Sequence, residues 1–259
     1  MHNIVYNIIN MIDFVEVLHM TQPVIAILRW ESGHVPAGLM QLEQMPGNST
    51  NPRSYPFPVK LVEVKGANVE TVITHPSQTL LQDMIRISRE LVERDGIRAI
   101  STSCGFNAVF QEQLSAALPV PVFSSALLQV PFVQQIIGAD RTVAVITANR
   151  QALSETHLRA CGITHDMHVQ VFGLEDAVEW KKIFDQPDQP FDIDTVGREI
   201  EGVAVSAVES NPNIGAIVLE CTDLPPYAAR IRQATGLPVF DFSSMMGLVS
   251  TALGQHSLY

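Results

Sequence analysis

Two similar α/β halves with parallel sheets, facing each other across a cleft, are the architecture this sequence predicts, and three observations predict it. A stretch from Ile97 to Phe123 recurs from Ile214 to Phe240. Ile97, Ala99, Ile100, Cys104, Pro121 and Phe123 each lie 117 residues before Ile214, Ala216, Ile217, Cys221, Pro238 and Phe240, with no gap. Internal repetition on this scale decides the fold before any local reading. Each copy reads as an apolar strand, a cysteine at its carboxyl end, a helix, a turn and a second strand. Finally, continuous apolar runs such as Val24 to Leu28 and Val143 to Ile146 are those of strands covered on both faces.

Taken in order, Val24 to Leu28 is the first strand, running into Arg29, Trp30, Glu31, Ser32 and Gly33. Polar groups at that edge are where open α/β sheets place ligands. Pro36 to Pro58 shows no period and is rich in proline, so it reads as a loop, with Asn51 to Tyr55 a candidate lid. Val59 to Val64 is the second strand. Thr79 to Asp95 is an amphipathic helix stopped by Gly96. The third strand delivers Cys104, the next helix puts Phe106, Val109, Phe110 and Leu114 on one side, and Val120 to Phe123 closes the half. A helix over Ala126 to Ile137 leads to the strand Val143 to Thr147, after which Thr147, Ala148 and Asn149 stand roughly where Glu31, Ser32 and Gly33 stood.

The second half continues with a helix from Ala152 to Ala160, a strand over Val169 to Phe172, and a helix and surface loop within Glu175 to Asp194. A helix over Val196 to Glu209 precedes the strand that delivers Cys221. Pro225 and Pro226 open a helix that Gly236 ends. A last helix, Ser244 to Leu253, should pack back on the first half. The expected division is residues 1–20 as a peripheral extension, 21–123 plus 245–259 as the first domain and 124–244 as the second.

Composition bounds the function. With 46% hydrophobic and 17% charged residues the 259-residue chain can bury a substantial core. A net charge of −11 and the absence of any basic run exclude a nucleic-acid surface. Three cysteines cannot form a secreted disulfide framework, so a reducing, cytoplasmic setting is expected. Residues 1–20 hold no Lys or Arg and are interrupted by Asn3, Asn7, Asn10, Asp13 and Glu16, so neither a signal peptide nor a membrane span is expected. A helix over Ile8 to Leu18 and a start at Met20 are open readings there.

Each cysteine precedes a helix, whose amino-terminal dipole should favour the thiolate. Two thiol groups on opposite sides of a substrate suit proton removal from one face and return to the other. Thr102, Ser103, Asn107 and Thr222 stand close in sequence to stabilise the carbanion between them. Cys161 reads as packing. Asp223 reads either as an N-cap or as a partner of Cys221, and Glu31 either as an ion-pair partner of Arg29 or Arg53 or as a neighbour of the site. His165 and His168 lack a third ligand nearby, so no metal is expected.

Glu31-Ser32-Gly33, Thr102-Ser103-Cys104-Gly105-Phe106-Asn107 and Glu220-Cys221-Thr222-Asp223 resemble the three signatures of the aspartate/glutamate racemase superfamily. Those are an Asp-Ser-Gly after the first strand, a first Cys with a following Asn, and a Gly-Cys-Thr with His or Glu next. The resemblance spans Val24 to Leu253. It implies two pseudo-symmetric flavodoxin-like domains, an active site in the cleft between them, two-base chemistry without a cofactor, a small carboxylate substrate and a homodimer. Matched by position, Cys104 and Cys221 are the catalytic pair, Ser32, Asn107 and Thr222 are substrate contacts, and Asp223 assists the second cysteine. Glu31 joins the catalytic candidates; Ser103, Gly105, Thr147 and Asn149 join the substrate-binding ones. Glu31 in place of Asp, Glu220 in place of a small residue, and Gly105-Phe106 between Cys104 and Asn107 depart from the pattern.

The expected function is racemisation or epimerisation of an amino acid or related small carboxylate by proton transfer between Cys104 and Cys221. Decarboxylation of a malonate-type acid, cis–trans isomerisation of an unsaturated diacid, and non-catalytic binding of a small acid are the alternatives.

Overall fold

The computed structural model describes residues 22–255. The extension expected over residues 1–20, with its helix and alternative start, lies outside the described residues. Strands β1 (Ile25–Arg29), β2 (Val59–Glu63), β3 (Ala99–Thr102) and β4 (Val122–Phe123) form a parallel sheet in the order β2-β1-β3-β4. Strands β5 (Thr142–Thr147), β6 (Val169–Gly173), β7 (Ile214–Leu219) and β8 (Val239–Phe240) form a second parallel sheet in the matching order β6-β5-β7-β8. The two-sheet α/β fold is the one the repeat predicts. Every residue of β5 and β7 is buried, as the unbroken apolar runs require.

The helices are α1 (Ala37–Leu42), α2 (Gln78–Asp95), α3 (Gln111–Ala117), α4 (Val130–Ile137), α5 (Glu155–Ala160), α6 (Lys182–Asp185), α7 (Ile193–Ser210), α8 (Ala228–Thr235) and α9 (Phe242–Ala252). In α2 the buried face is Leu80, Leu81, Met84, Ile85, Ser88 and Leu91, a helical period. The Ser77 side chain accepts the Leu80 N–H at its start, and Gly96 ends it in the left-handed region with φ of 69°. Gly236 ends α8 in the same way at 68°. The last helix reaches the first half: Arg98 Nη1 donates to Leu253 O at 2.9 Å, and Ser243 Oγ to Gly47 O at 3.4 Å.

Three local expectations change. The chain after each cysteine begins as a 3-10 turn, Gly105–Phe110 and Pro225–Tyr227, before α3 and α8 start. The tighter winding lets the loop backbone turn close to the sheet edge. The loop from Pro36 to Pro58 contains α1. Its Asn51 to Tyr55 part, the candidate lid, is tied into the loop: Asn51 Nδ2 donates to Gln44 O at 3.0 Å and Met45 O at 3.1 Å, and Tyr55 Oη to Ser49 O at 2.8 Å. Asn48, Ser49, Thr50 and Asn51 are all buried; the Asn48 and Asn51 side-chain oxygens accept the Thr50 and Arg53 N–H groups, whereas the Ser49 hydroxyl has no partner.

The strand orders fix where a ligand fits. In both sheets, whose strands are all parallel, the strand order reverses between β1 and β3 and between β5 and β7, and such switch points open a crevice at the strand carboxyl ends. No helix among the described residues is long and apolar enough to cross a membrane.

The glycine conformations give a sign test. Gly96→Ala and Gly236→Ala should each lower stability by about 1 kcal/mol, because each site sits at positive φ with open space around it. Gly202→Ala, in α7 and equally unobstructed, should raise it by about 0.5 kcal/mol. Urea unfolding midpoints check both signs.

Candidate active site

The two crevices merge. The turns after β1, β3, β5 and β7 line one cavity of about 1180 Å³, contributing Trp30, Ser103 to Phe106, Ala148 with Asn149, and Cys221 to Asp223. The β3 and β7 turns meet directly: Thr222 Oγ1 donates to Ser103 O at 2.5 Å. Gly105 lies flush against Glu220, so that any side chain at 105 would collide with its backbone oxygen and carboxyl group. His157 packs edge-on to Phe106, with ring centroids 5.6 Å apart, and backs the turn that carries Cys104.

Both sulfurs sit on this cavity. Cys221 Sγ donates to Asp223 Oδ2 at 3.8 Å, and Asp223 Oδ1 accepts from Asn48 Nδ2 at 2.7 Å. Asp223 is therefore a partner of Cys221 and not an N-cap; Leu224 occupies the cap position, without a side-chain bond. The backbone N–H groups of Phe106 and Asn107 favour the thiolate of Cys104, and that of Asp223 favours the thiolate of Cys221. Those bonds are outweighed. Burial first, then the charges of Glu220 and Asp223, push both thiols well above their ordinary value. The expectation that a helix dipole lowers them does not hold, since short 3-10 turns replace the helix termini and the surroundings are dry and acidic.

Burial also pushes the carboxyls of Asp223 and Glu220 up to about 7. Glu43, which lines the cavity with Asp223, is raised by burial against the opposing effect of Arg29, whose Nη2 lies 3.6 Å away. No Lys or Arg lines the cavity, whereas Glu43, Asp188 and Asp223 do, together with Trp30 and Trp180, the only two tryptophans of the chain. Among the described residues no three His, Cys, Asp or Glu side chains form a group that could hold a metal ion.

Of the residues expected in the site, Cys104, Cys221, Asp223, Ser103, Gly105, Asn149 and Thr222 reach the cavity. Glu31, Ser32, Asn107 and Thr147 do not line it. The Glu31 carboxylate accepts the Gly66 N–H at 2.9 Å, leaving both Arg29 and Arg53. Ser32 is exposed and tied to Glu63 through its N–H and hydroxyl. Asn107 is buried behind Cys104, donating to its carbonyl at 3.1 Å. Thr147 is buried and donates to Glu220 Oε2 at 2.7 Å. Asn48, Glu43 and the tryptophans were not among the expected site residues. Glu220, an acid closing an apolar strand, was the one legible signal for the buried charge.

No family model matches the chain. Among curated proteins it is similar to a dimethylsulfoniopropionate lyase of Durusdinium sp. clade D, at 29% identity over 217 residues covering 80% of this chain and 71% of that protein. It is 33% identical over 158 residues to dimethylsulfoniopropionate lyase 3 of Emiliania huxleyi (strain CCMP1516), covering 58% of this chain and 41% of the other. To lyase 5 of that organism it is 26% identical over 241 residues, 89% of this chain and 45% of the other. The chain thus spans less than half the length of these Emiliania huxleyi relatives.

Solved structures with the same fold include allantoin racemase from Pseudomonas fluorescens (16% identity, TM-score 0.57, 90% of this chain and 92% of that one). An aspartate racemase homologue from Pyrococcus horikoshii OT3 matches at 18% and 0.56, over 90% and 100% of the two chains. Unliganded arylmalonate decarboxylase matches at 16% and 0.53, over 90% and 92%. The chain shares the two-sheet fold of these racemases and of the decarboxylase. The expected activity does not follow: the curated relatives are lyases, which overturns the reading of this chain as an isomerase that racemises or epimerises amino acids.

The buried acids make a prediction about stability. Glu220 and Asp223 ionise near 4.5 and 3.8 when unfolded and near about 7 when folded, so between those values the folded chain holds the extra protons. Stability should therefore fall as pH rises through that window, the reverse of a salt-bridged carboxylate. Denaturant titrations across it should show the decline, and Asp223→Asn should flatten it.

Proposed function

We propose that the chain is a lyase acting on dimethylsulfoniopropionate or a closely similar β-sulfonio carboxylate. The observation that carries this reading is the composition of the cavity wall: carboxyl groups, two indoles and no Lys or Arg around a thiol that has its own carboxylate partner. A sulfonium cation is attracted by carboxylates and by aromatic faces. The similarity to the Durusdinium and Emiliania huxleyi lyases supports the same substrate class.

The elimination follows from that arrangement. The Cys221 thiol passes its proton to Asp223, which Asn48 holds in place, and the thiolate takes the proton from the carbon next to the substrate carboxylate. The electron pair of that C–H bond becomes the new C=C bond while the carbon–sulfur bond breaks, its pair leaving on sulfur as neutral dimethyl sulfide. Acrylate and one proton complete the balance. The leaving group needs no acid, so a single base suffices for bond breaking. Cys104 on the cavity, with Ser103 and the Asn149 amide, donates hydrogen bonds to the carboxylate as charge builds on it. Asn149 Oδ1 is taken by the N–H groups of Gln151 and Ala152, leaving its Nδ2 as the donor.

The bound cation also supplies the positive charge that the cavity wall lacks. Thiols raised by burial and by neighbouring carboxylates come down when a positive group enters beside them. Base activation is thereby tied to the presence of substrate.

Gas-chromatographic measurement of dimethyl sulfide release tests the proposal. Cys221→Ser should cut kcat by about 1000-fold, Cys104→Ser by about 100-fold, and Trp30→Leu should raise KM about tenfold with a smaller effect on kcat. Absence of release from dimethylsulfoniopropionate and from its sulfonio homologues, with folded protein, would overturn it.

A further inference from the structure

The cavity uses Cys104, Cys221 and Asp223 but leaves the neighbouring acid unexplained. Glu220 follows the six buried residues of β7 and is itself wholly buried, without lining the cavity. Its Oε2 accepts one hydrogen bond, from Thr147 Oγ1 at 2.7 Å, and its Oε1 has no partner. An acid so placed is a stability cost that an Ala or Val would avoid. What distinguishes the position is its neighbours: Gly105 of the Cys104 turn lies flush against the carboxyl, and Cys221 is the next residue.

The titratable groups that face it come from three elements. They are Cys104 after β3, Cys161 at the end of α5 and Cys221 after β7, and a charge on Glu220 raises all three thiols. Asp223, one turn further along the β7 loop, adds its own charge to those on Cys104 and Cys221. Thr147 of β5 is neutral, and no cationic side chain among the described residues offsets the burial of Glu220.

We propose that Glu220 is a positioning residue for the thiol pair that works in its uncharged form, its ionisation opposing thiolate formation at both Cys104 and Cys221. A neutral carboxyl behind the two sulfurs leaves the substrate cation as the dominant charge. An ionised one competes with it. Since burial pushes this carboxyl up to about 7, the change of state falls near neutrality. The inference rests on the reading of the two cysteines as the working pair, but its test needs no turnover.

The test compares the full chain with Glu220→Gln, a substitution of the same shape that cannot ionise. Iodoacetamide alkylation is followed by peptide mass mapping of Cys104 and Cys221 from about pH 6 to about pH 9. Above about pH 7 the variant should alkylate about tenfold faster at both positions, and the two profiles should converge below it. The upper limb of the kcat/KM profile should move to higher pH in parallel. Superimposed profiles, or slower alkylation of a folded variant, overturn the inference. Should Glu220→Gln not fold, Thr147→Val decides in the same way, because losing its only donor keeps Glu220 neutral to higher pH. A shifted alkylation profile without dimethyl sulfide release would sink the lyase reading alone; release with an unshifted profile would sink this one alone.

Discussion

The structure depends on the contact between two turns, one at the end of β3 and the other at the end of β7. Thr222 reaches the carbonyl of Ser103, and Gly105 closes on Glu220 with no room for a β-carbon. These are the two turns that carry the cysteines, so the same contact that joins the halves sets both sulfurs on one cavity. A side chain at 105 would part the turns and separate the thiols. Glycine is required there by the close approach and not by its backbone angles.

Electrostatics then follows from packing. The joined turns bury Glu220 wholly and Cys221 nearly so, leave Cys104 and Asp223 half-buried on the cavity, and no Lys or Arg on the cavity wall answers them. The site is consequently a place where protons are held tightly: acids titrate near neutrality and thiols stay protonated. Such a site favours a guest that brings positive charge with it. A guest whose only charges are carboxylates would meet a wall of its own sign, apart from hydrogen-bond donors, which is consistent with the departure from amino-acid racemisation.

Much of this was legible in the sequence. The repeat placed the strands because buried parallel strands must be apolar along their whole length, and the matched positions of Cys104 and Cys221 put both at strand ends that line one cavity. The site was less legible for definite reasons. Asn48 grips Asp223 from 175 residues away, a contact no local pattern announces. Ser32 and Glu31 carry the expected motif but find partners at the end of β2 and just beyond it, in Glu63 and Gly66, before they can reach the cavity. The reaction was misread because proton removal beside a carboxylate begins racemisation and elimination alike. What happens next depends on the group attached one carbon further on, which in the proposed reaction the cavity wall would recognise, and which leaves no motif near the cysteines.

Segments from both halves also border the cavity mouth side by side. Ala37 N–H donates to Pro187 O at 2.7 Å, and the Gln41 side chain exchanges hydrogen bonds with the Phe191 backbone, Oε1 accepting at 2.5 Å and Nε2 donating at 3.3 Å. Gly38 fits under the Phe191 ring so closely that one added methyl group would overlap it. Met40 and Phe184, partly exposed, form the greasy lip above. Any widening of the cavity between these segments means breaking hydrogen bonds that hold the halves together, so the rim and the seam are a single mechanical part.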